Sequence, residues 1–252
     1  MIPISKSSGL GDNFYISGFD LSGDVNALGT VASPLATLDV TSINESAHER
    51  LGGLRDGQMD FTTIFNPSPG QENLTLSNHP RTDVIASYFV APQTLGGVVA
   101  SLNGKQIDYA PTRSNDGLLT STVSVQGNAF GLDWGNKLTA GKRTDTVATL
   151  GTGVDFTAST SFGFQAYLHV FSFAGTDVTV KLQDSADNIT FADVASGAFT
   201  PITVTTPQAQ RLAVGGTATV RRFVRVTTVT TGGFSSLVFA VAITKNTLAV
   251  QL

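Results

Sequence analysis

The sequence predicts an all-β protein: a first β-sandwich or barrel carrying one short helix, then a second, jelly-roll-like β-sandwich. Three observations predict it. Gly, Thr, Ser, Val and Ala dominate, with only two Met and one Trp, a mix that favours strands and turns over helices. Apolar and polar residues alternate with a period of two in many short runs. Turn residues separate these runs at even spacing, as in sandwiches and jelly rolls. At 252 residues and 41% hydrophobic content, the chain can bury a sizeable core. No tandem repeat of solenoid or propeller length is present.

The elements follow in order. Residues 9–13 read as a flexible start and 14–19 as a short aromatic strand. The run 35–43 (LATLDVTSI) alternates and reads as a strand. A glycine-punctuated loop at 44–57 then crowds Glu45, His48, Glu49, Arg50, Arg55 and Asp56 into a chain that is only 13% charged, against roughly 25% in an ordinary domain. Such a loop looks like a surface built to meet another surface. Directly after it, Met59, Phe61, Thr63 and Phe65 point one way and Asp60, Thr62 and Ile64 the other, a half-buried strand. NPSPG at 66–70 breaks the chain, and 71–78 is a short helix stopped by Pro80. An apolar strand follows at 84–91. The runs 98–102 and 105–109 flank Asn103-Gly104, the signature of a type I′ hairpin, whose two turn residues both need φ > 0. Strands at 118–126 and 130–134 complete a first unit spanning 14–138, behind an N-terminal arm at 1–13.

The stretch 139–153 (TAGKRTDTVATLGTG) is small, polar and aperiodic and reads as a linker. In the second unit, 154–252, Phe162, Phe164, Ala166, Leu168 and Val170 form one face of a long strand. Val178, Val180 and Leu182 form one face of the next. Strands at 199–205, 210–214, 220–229 and 237–244 follow, with turns at Gly215-Gly216 and Gly232-Gly233.

Composition excludes several functions. The chain has no Cys, so disulfides, thiolate metal sites and cysteine nucleophiles are ruled out. Residues 1–11 lack the apolar run of a signal peptide, and no segment has the roughly 20 apolar residues of a membrane span. The sequons at Asn44, Asn73 and Asn188 are then without meaning. The net charge of −4 is unevenly placed: residues 1–150 balance at −5 and residues 151–252 at +1. An acidic first half argues against wrapping nucleic acid, which needs a basic face.

Motifs for chemistry fail on inspection. His48-Glu49 begins a zinc-protease HExxH pattern, but position 52 is Gly. His48, His79 and His169 lie far apart. Asp20 and Asp24 lack calcium-loop spacing. Gly97–Lys105 lacks the phosphate-loop spacing, and Gln106 stands where Ser or Thr would be needed. SADNITF at 185–191 is a degenerate sialidase-type Asp-box, a turn and not a catalytic motif. No GxSxG elbow is present. Neither an enzyme nor a cofactor is expected. Arg221, Arg222 and Arg225 fall on one predicted strand, read either as charge protecting an edge or as a docking strand for an acidic neighbour.

Taken together, DLSGDV…LDVTSINESAHERLGGLRDGQMDFTTIFNP, TDVIASYF, KQIDYAPTRSNDGLLTSTVSVQGNAFGLDWG and LTAGKRTDT resemble the major tail protein, or tail tube protein, of siphophages infecting actinobacteria. FGFQAYLHVFSFAGTDVTVKLQDSADNITFADV resembles a β domain appended to several phage tail proteins. The resemblance implies a tail-tube-type fold whose copies form hexameric rings stacked into a channel through which DNA passes without specific binding. It implies other tail proteins, such as tape measure and tail terminator, as partners, no membrane, and a place in the virion tail after synthesis and assembly in the host bacterial cytoplasm. The loop holding Glu45, His48, Glu49, Arg50, Arg55 and Asp56 would contact the next ring. The alternative is a tail-tip or decoration protein whose second sandwich binds a host-surface glycan.

Overall fold

The structure is a computed structural model that describes residues 8–205, 207–216 and 218–248. Among these residues the chain forms eighteen strands and one short helix. None of its helices is long and apolar enough to cross a membrane.

In the first half, β1 (Asn13–Ile16) and β2 (Phe19–Asp20) form a tight hairpin around Ser17-Gly18. β3 (Val25–Ala32), β4 (Leu35–Asp39), β5 (Arg50–Arg55) and β6 (Gln58–Ile64) follow. Helix α1 (Glu72–Leu76) lies where the sequence places one, and precedes β7 (Val84–Phe89), β8 (Val98–Arg113), β9 (Leu119–Gly127) and β10 (Asp133–Lys137). The alternation in β6 is as expected: Met59, Phe61 and Thr63 are buried. One wall runs β2-β1-β7-β8 and the other β3-β6-β9, joined through the β8–β9 pairing. Phe14, Ile16, Met59, Phe61, Leu102 and Val123 fill the space between them, and Leu76 of α1 closes one end.

Asn103-Gly104 is not a turn. Strand β8 runs straight through it, with Asn103 opposite Ile85 and Gly104 opposite both Val84 and Gly127. The glycine is needed for close approach: a Cβ there would lie 2.1 Å from the Gln126 carbonyl oxygen. A residue flanked by strands on both edges in a tightly coiled sheet has no room for a side chain. That is a second reason for glycine in a strand, and it has the same local signature as a turn.

The second half adds β11 (Arg143–Asp145), β12 (Val154–Asp155), β13 (Phe164–Gly175), β14 (Thr179–Ser185), β15 (Ala192–Ala198), β16 (Gln208–Val214), β17 (Phe223–Val229) and β18 (Phe234–Lys245). One sheet, β16-β13-β18, packs on another, β12-β17-β14-β15. Their core includes Phe164, Leu168, Leu182, Val226, Phe239 and Val241. The expected strand at 199–205 is absent. Phe199 and Ile202 are buried, but only the bridge between Ile202 and Val178 forms, because Pro201 has no N–H to donate to a ladder.

The stretch expected to be a linker is part of this half. β11 pairs with β18, and the Arg143 guanidinium makes two 2.8 Å bonds to the Asp145 carboxylate. Thr228 donates to the same carboxylate at 2.8 Å. Side-chain hydrogen bonds, invisible to a periodicity test, order this polar segment.

The two halves are fused by β10, which pairs with β8 on one edge and β18 on the other. Behind it lies a third apolar cluster of Tyr15, Ile85, Phe89, Val99, Tyr167, Ala240 and Ala242. Strand β13 is therefore buried on both faces along Phe164–Val170, where alternation predicted one. At the centre of this seam His169 is fully buried. Its Nδ1 accepts from the Gly18 N–H at 3.4 Å, and Nε2 lies 2.9 Å from the Ser87 hydroxyl. Gly18 has φ +87°, and a Cβ there would fall 2.4 Å from the Gln208 nitrogen. The β1–β2 turn thus seats directly on β13 and β16.

Candidate functional site

Strands β4 and β5 stand apart as a two-stranded sheet of their own, pairing with no other strand. Their register sets Leu35 opposite Arg55, Leu38 opposite Leu51 and Asp39 opposite Arg50. An isolated two-stranded hairpin is marginally stable in water, and this one holds almost no buried surface: every residue from 35 to 52 is exposed. Leu35, Leu38, Leu51, Leu54 and Ile43 are all among the exposed large hydrophobics, with Leu54 87% exposed.

Polar bonds hold the tip of this arm. The Asp39 carboxylate accepts from the Thr41 N–H at 3.0 Å and from its hydroxyl, and Oδ2 lies 2.9 Å from His48 Nδ1. The Thr41 bonds, side chain first, keep the Asp39 carboxyl below the usual carboxylate range. Thr41 Oγ1 accepts from the Glu49 N–H at 2.9 Å, and Val40 N–H donates to the Glu49 carbonyl at 2.9 Å. At the base, Asp56 N–H donates to the Pro34 carbonyl and Gln126 to the Asp56 carboxylate, both at 2.9 Å.

The five charged residues and His48 singled out in the sequence all sit on this projection. Glu45 is in the tip loop, His48 and Glu49 lie across from Asp39–Thr41, Arg50 and Arg55 end β5, and Asp56 anchors the base. Leu51 and Leu54 between them are not among the residues that the charge pattern singles out. The signal was legible: Leu51-Gly52-Gly53-Leu54 places two apolar residues inside an otherwise polar loop. Of the expected N-terminal arm at 1–13, residues 1–7 lie outside the described residues. Asp12 is tied to the body by the Ala91 N–H at 2.6 Å and the Tyr88 hydroxyl.

A cleft opens where the arm meets the edge strand β16, lined by Leu54, Arg55, Phe130, Asp133, Gln165 and Arg211. The Arg211 guanidinium lies 3.7 Å over the Phe130 ring, and its Nε donates to the Tyr167 hydroxyl at 3.3 Å. Tyr167 in turn donates to Asp133 at 2.6 Å. Burial pushes the Asp133 carboxyl up from its ordinary value.

The three arginines have internal partners. β17 is not an edge strand, since β12 and β14 flank it, so charge protection of an edge is not their role. Arg222 lies just before it and makes bonds of 2.7 and 2.6 Å to Asp155. Arg221 N–H donates to Asp184 at 2.8 Å. Arg225 binds the Gln183 side-chain oxygen at 3.0 and 2.8 Å and lies 4.0 Å over the Phe191 ring. Arg222 and Arg225 are thus engaged within the chain, while the Arg221 guanidinium lies 3.8 Å from the Asp184 carboxylate and is about half exposed.

Among the described residues no three His, Cys, Asp or Glu side chains cluster as a metal site. His48 sits on the arm, His169 in the seam, and His79 beside the Tyr109 ring. The Asp-box-like segment is the turn between β14 and β15, where Asp187 accepts from the Ile189 and Thr190 N–H groups at 2.9 Å each.

No protein-family model matches the chain, and no curated protein matches it. Among solved structures, the chain is similar to the Dit protein of phage SPP1, described as a paradigm of the hub adsorption apparatus in phages infecting Gram-positive bacteria. The identity is 13%, with 93% of this chain and 99% of that chain covered, at a TM-score of 0.36. Likeness at that level fixes neither a shared topology nor a shared role.

Proposed function

We propose that this protein is a structural subunit of a long-tailed phage tail that assembles with copies of itself, its β4–β5 arm reaching onto a neighbouring subunit. One observation carries the reading: a two-stranded arm that exposes Leu38, Ile43, Leu51 and Leu54 and has too little internal packing to hold itself rigid. Covering those residues with a partner removes apolar area from water at roughly 25 cal/mol per Å². The charged rim of Glu45, His48, Glu49, Arg50, Arg55 and Asp56 would set orientation more than affinity.

The sequence resemblance supports the finer form, a tail tube subunit in stacked rings, which copy number and particle shape would test. The acidic balance of residues 1–150 suits a lumen that DNA slides past, since a wall of like charge does not retain phosphate. A head-to-tail contact that does not close on itself propagates into a filament. Other tail proteins at the two ends of such a tube would be its further partners.

The test is electron microscopy and light scattering of the purified chain. Rings or tubes are expected, and replacement of Leu38, Leu51 and Leu54 together by Ser should leave a folded monomer. A wild-type chain that stays monomeric at high concentration and is missing from purified virions would overturn the reading. Tens of copies per virion favour the tube, and a single ring's worth favours the tip.

A further inference from the structure

A groove of about 480 Å³ lies where β10 meets the end of β18 and the loop after β12. Trp134 and Asn136 alternate on β10 and form one wall. Phe156 and Phe162 also line it, as do Thr244 and Lys245 of β18. Trp134 is 51% exposed and is the only tryptophan in the chain. Gly135 permits the arrangement: a Cβ there would meet the Ile243 carbonyl oxygen and the Thr244 hydroxyl, each at 2.3 Å, so β10 and β18 could not close.

The chemistry of the lining is distinctive. It holds three aromatic rings and several hydroxyl and amide groups, with no carboxylate. Its one cation is occupied: Lys245 Nζ donates to the Ala158 and Arg221 carbonyls at 2.6 and 2.8 Å and lies 5.2 Å over the Phe156 ring. Asn136 donates through Nδ2 to the Gly96 carbonyl at 2.8 Å, leaving its Oδ1 as an acceptor. An anionic ligand finds no free positive charge here, and a cationic one finds no carboxylate. Thr157, Thr160 and Asn246 bond within the chain, but a purely apolar ligand would leave Asn136 Oδ1 and the Ser159, Ser161 and Thr244 hydroxyls without partners, at a cost in each lost hydrogen bond. The matching ligand is neutral, with a flat C–H face for the indole and a rim of hydroxyls for Thr, Ser and Asn side chains.

We infer that this groove binds a neutral saccharide, with a pyranose ring on the Trp134 indole. The inference does not rest on the tail-subunit reading, and the groove shares no residue with the arm. Shallow sites with a few directional polar groups and an aromatic platform bind weakly, with Kd on the order of 0.1–10 mM per ring.

Because Trp134 is the only tryptophan, intrinsic fluorescence of the full chain reads the groove directly. The probes are neutral oligomers of glucose, galactose, rhamnose and N-acetylglucosamine, taken to about 20 mM, the upper part of the millimolar range expected. At least one should give a saturable change in intensity or wavelength, and saturation-transfer NMR should show its ring protons in contact with protein. Trp134→Ala should weaken that binding at least tenfold by NMR, and Trp134→Phe should retain part of it, with melting temperatures unchanged within a few degrees. No saturable response to any of the four by either method would overturn the inference. So would undiminished binding by Trp134→Ala, or an emission shift that follows protein concentration without sugar, which would mark the groove as a contact between copies. Microscopy of the same samples scores ring formation separately, so failure of either reading is distinguishable.

Discussion

The seam around His169 and the β4–β5 arm are both built from apolar side chains, yet they stand at opposite extremes. In the seam, Tyr15, Phe89 and Tyr167 are wholly buried, and His169 is paired with Gly18 and Ser87, and Ser87 with Ser101 at 2.9 Å. On the arm, Leu38, Leu51 and Leu54 face solvent. Burial at the seam supplies internal stability. Exposure on the arm keeps the same free energy in reserve for a second molecule. Apolar content alone does not separate a core from an interface; what separates them is whether the chain itself supplies the covering surface.

The comparison can be broken most directly by truncating one large side chain on each side. Phe89→Ala should cost about 3–5 kcal/mol in chemical denaturation, the usual range for a buried aromatic. Leu51→Ala or Leu54→Ala should stay within about 0.5 kcal/mol, as exposed substitutions do, while weakening assembly measured by light scattering. Equal costs at both places would mean that the arm is part of the core.

Acid should dissolve the seam before the arm. Burial lowers the His169 pKa from 6.5 to about 3, so the unfolded chain takes up a proton that the folded chain refuses. Stability from this residue is complete above about pH 6.5 and is lost as pH falls from there toward 3. The shift corresponds to about 4–5 kcal/mol at its full extent. His169→Gln should start less stable at pH 7.5 and show a flatter profile between pH 6.5 and 4 in urea denaturation. Parallel profiles would remove the histidine from the account.

Gly104→Ala sharpens the comparison from within the sheet. At a close crossing, the added methyl must push back the Gln126 backbone, with an expected cost of about 1–3 kcal/mol. Measured by thermal or urea unfolding, an unchanged stability would mean that β8 has slack there. The smallest effect on folding is expected from Glu49→Ser, Arg50→Ser, Arg55→Ser and Asp56→Ser combined on the arm. Circular dichroism and melting temperature should stay near the wild type, since exposed charges add little to folding, while ring stacking is impaired. Normal tubes from this variant would leave the leucines as the sole contact.

Much of the fold was legible where a local rule suffices. The β6 alternation, the short helix with its Pro80 stop, and the Asp187 turn each depend on residues within a few positions of one another. The charged stretch was legible as a surface feature, because six such residues in a charge-poor chain have few internal partners. Leu51 and Leu54 lie in β5, where Gly52-Gly53 between them breaks the alternation that announces a strand. Asn103-Gly104 was misread because glycine serves tight turns and close crossings alike. The Trp134 groove draws on β10, β18 and the loop after β12, which lie far apart in the chain.

The all-β class, the absence of thiol chemistry and the order of most strands follow from residue order alone, because strand periodicity and turn chemistry are local. That β10 joins the two halves, that 139–153 belongs to the second, that β13 is buried on both faces and that β4–β5 stands alone emerges only in three dimensions. Those outcomes depend on which strand edges pair across long separations in sequence. A period of two has the same form whatever partner lies beside it.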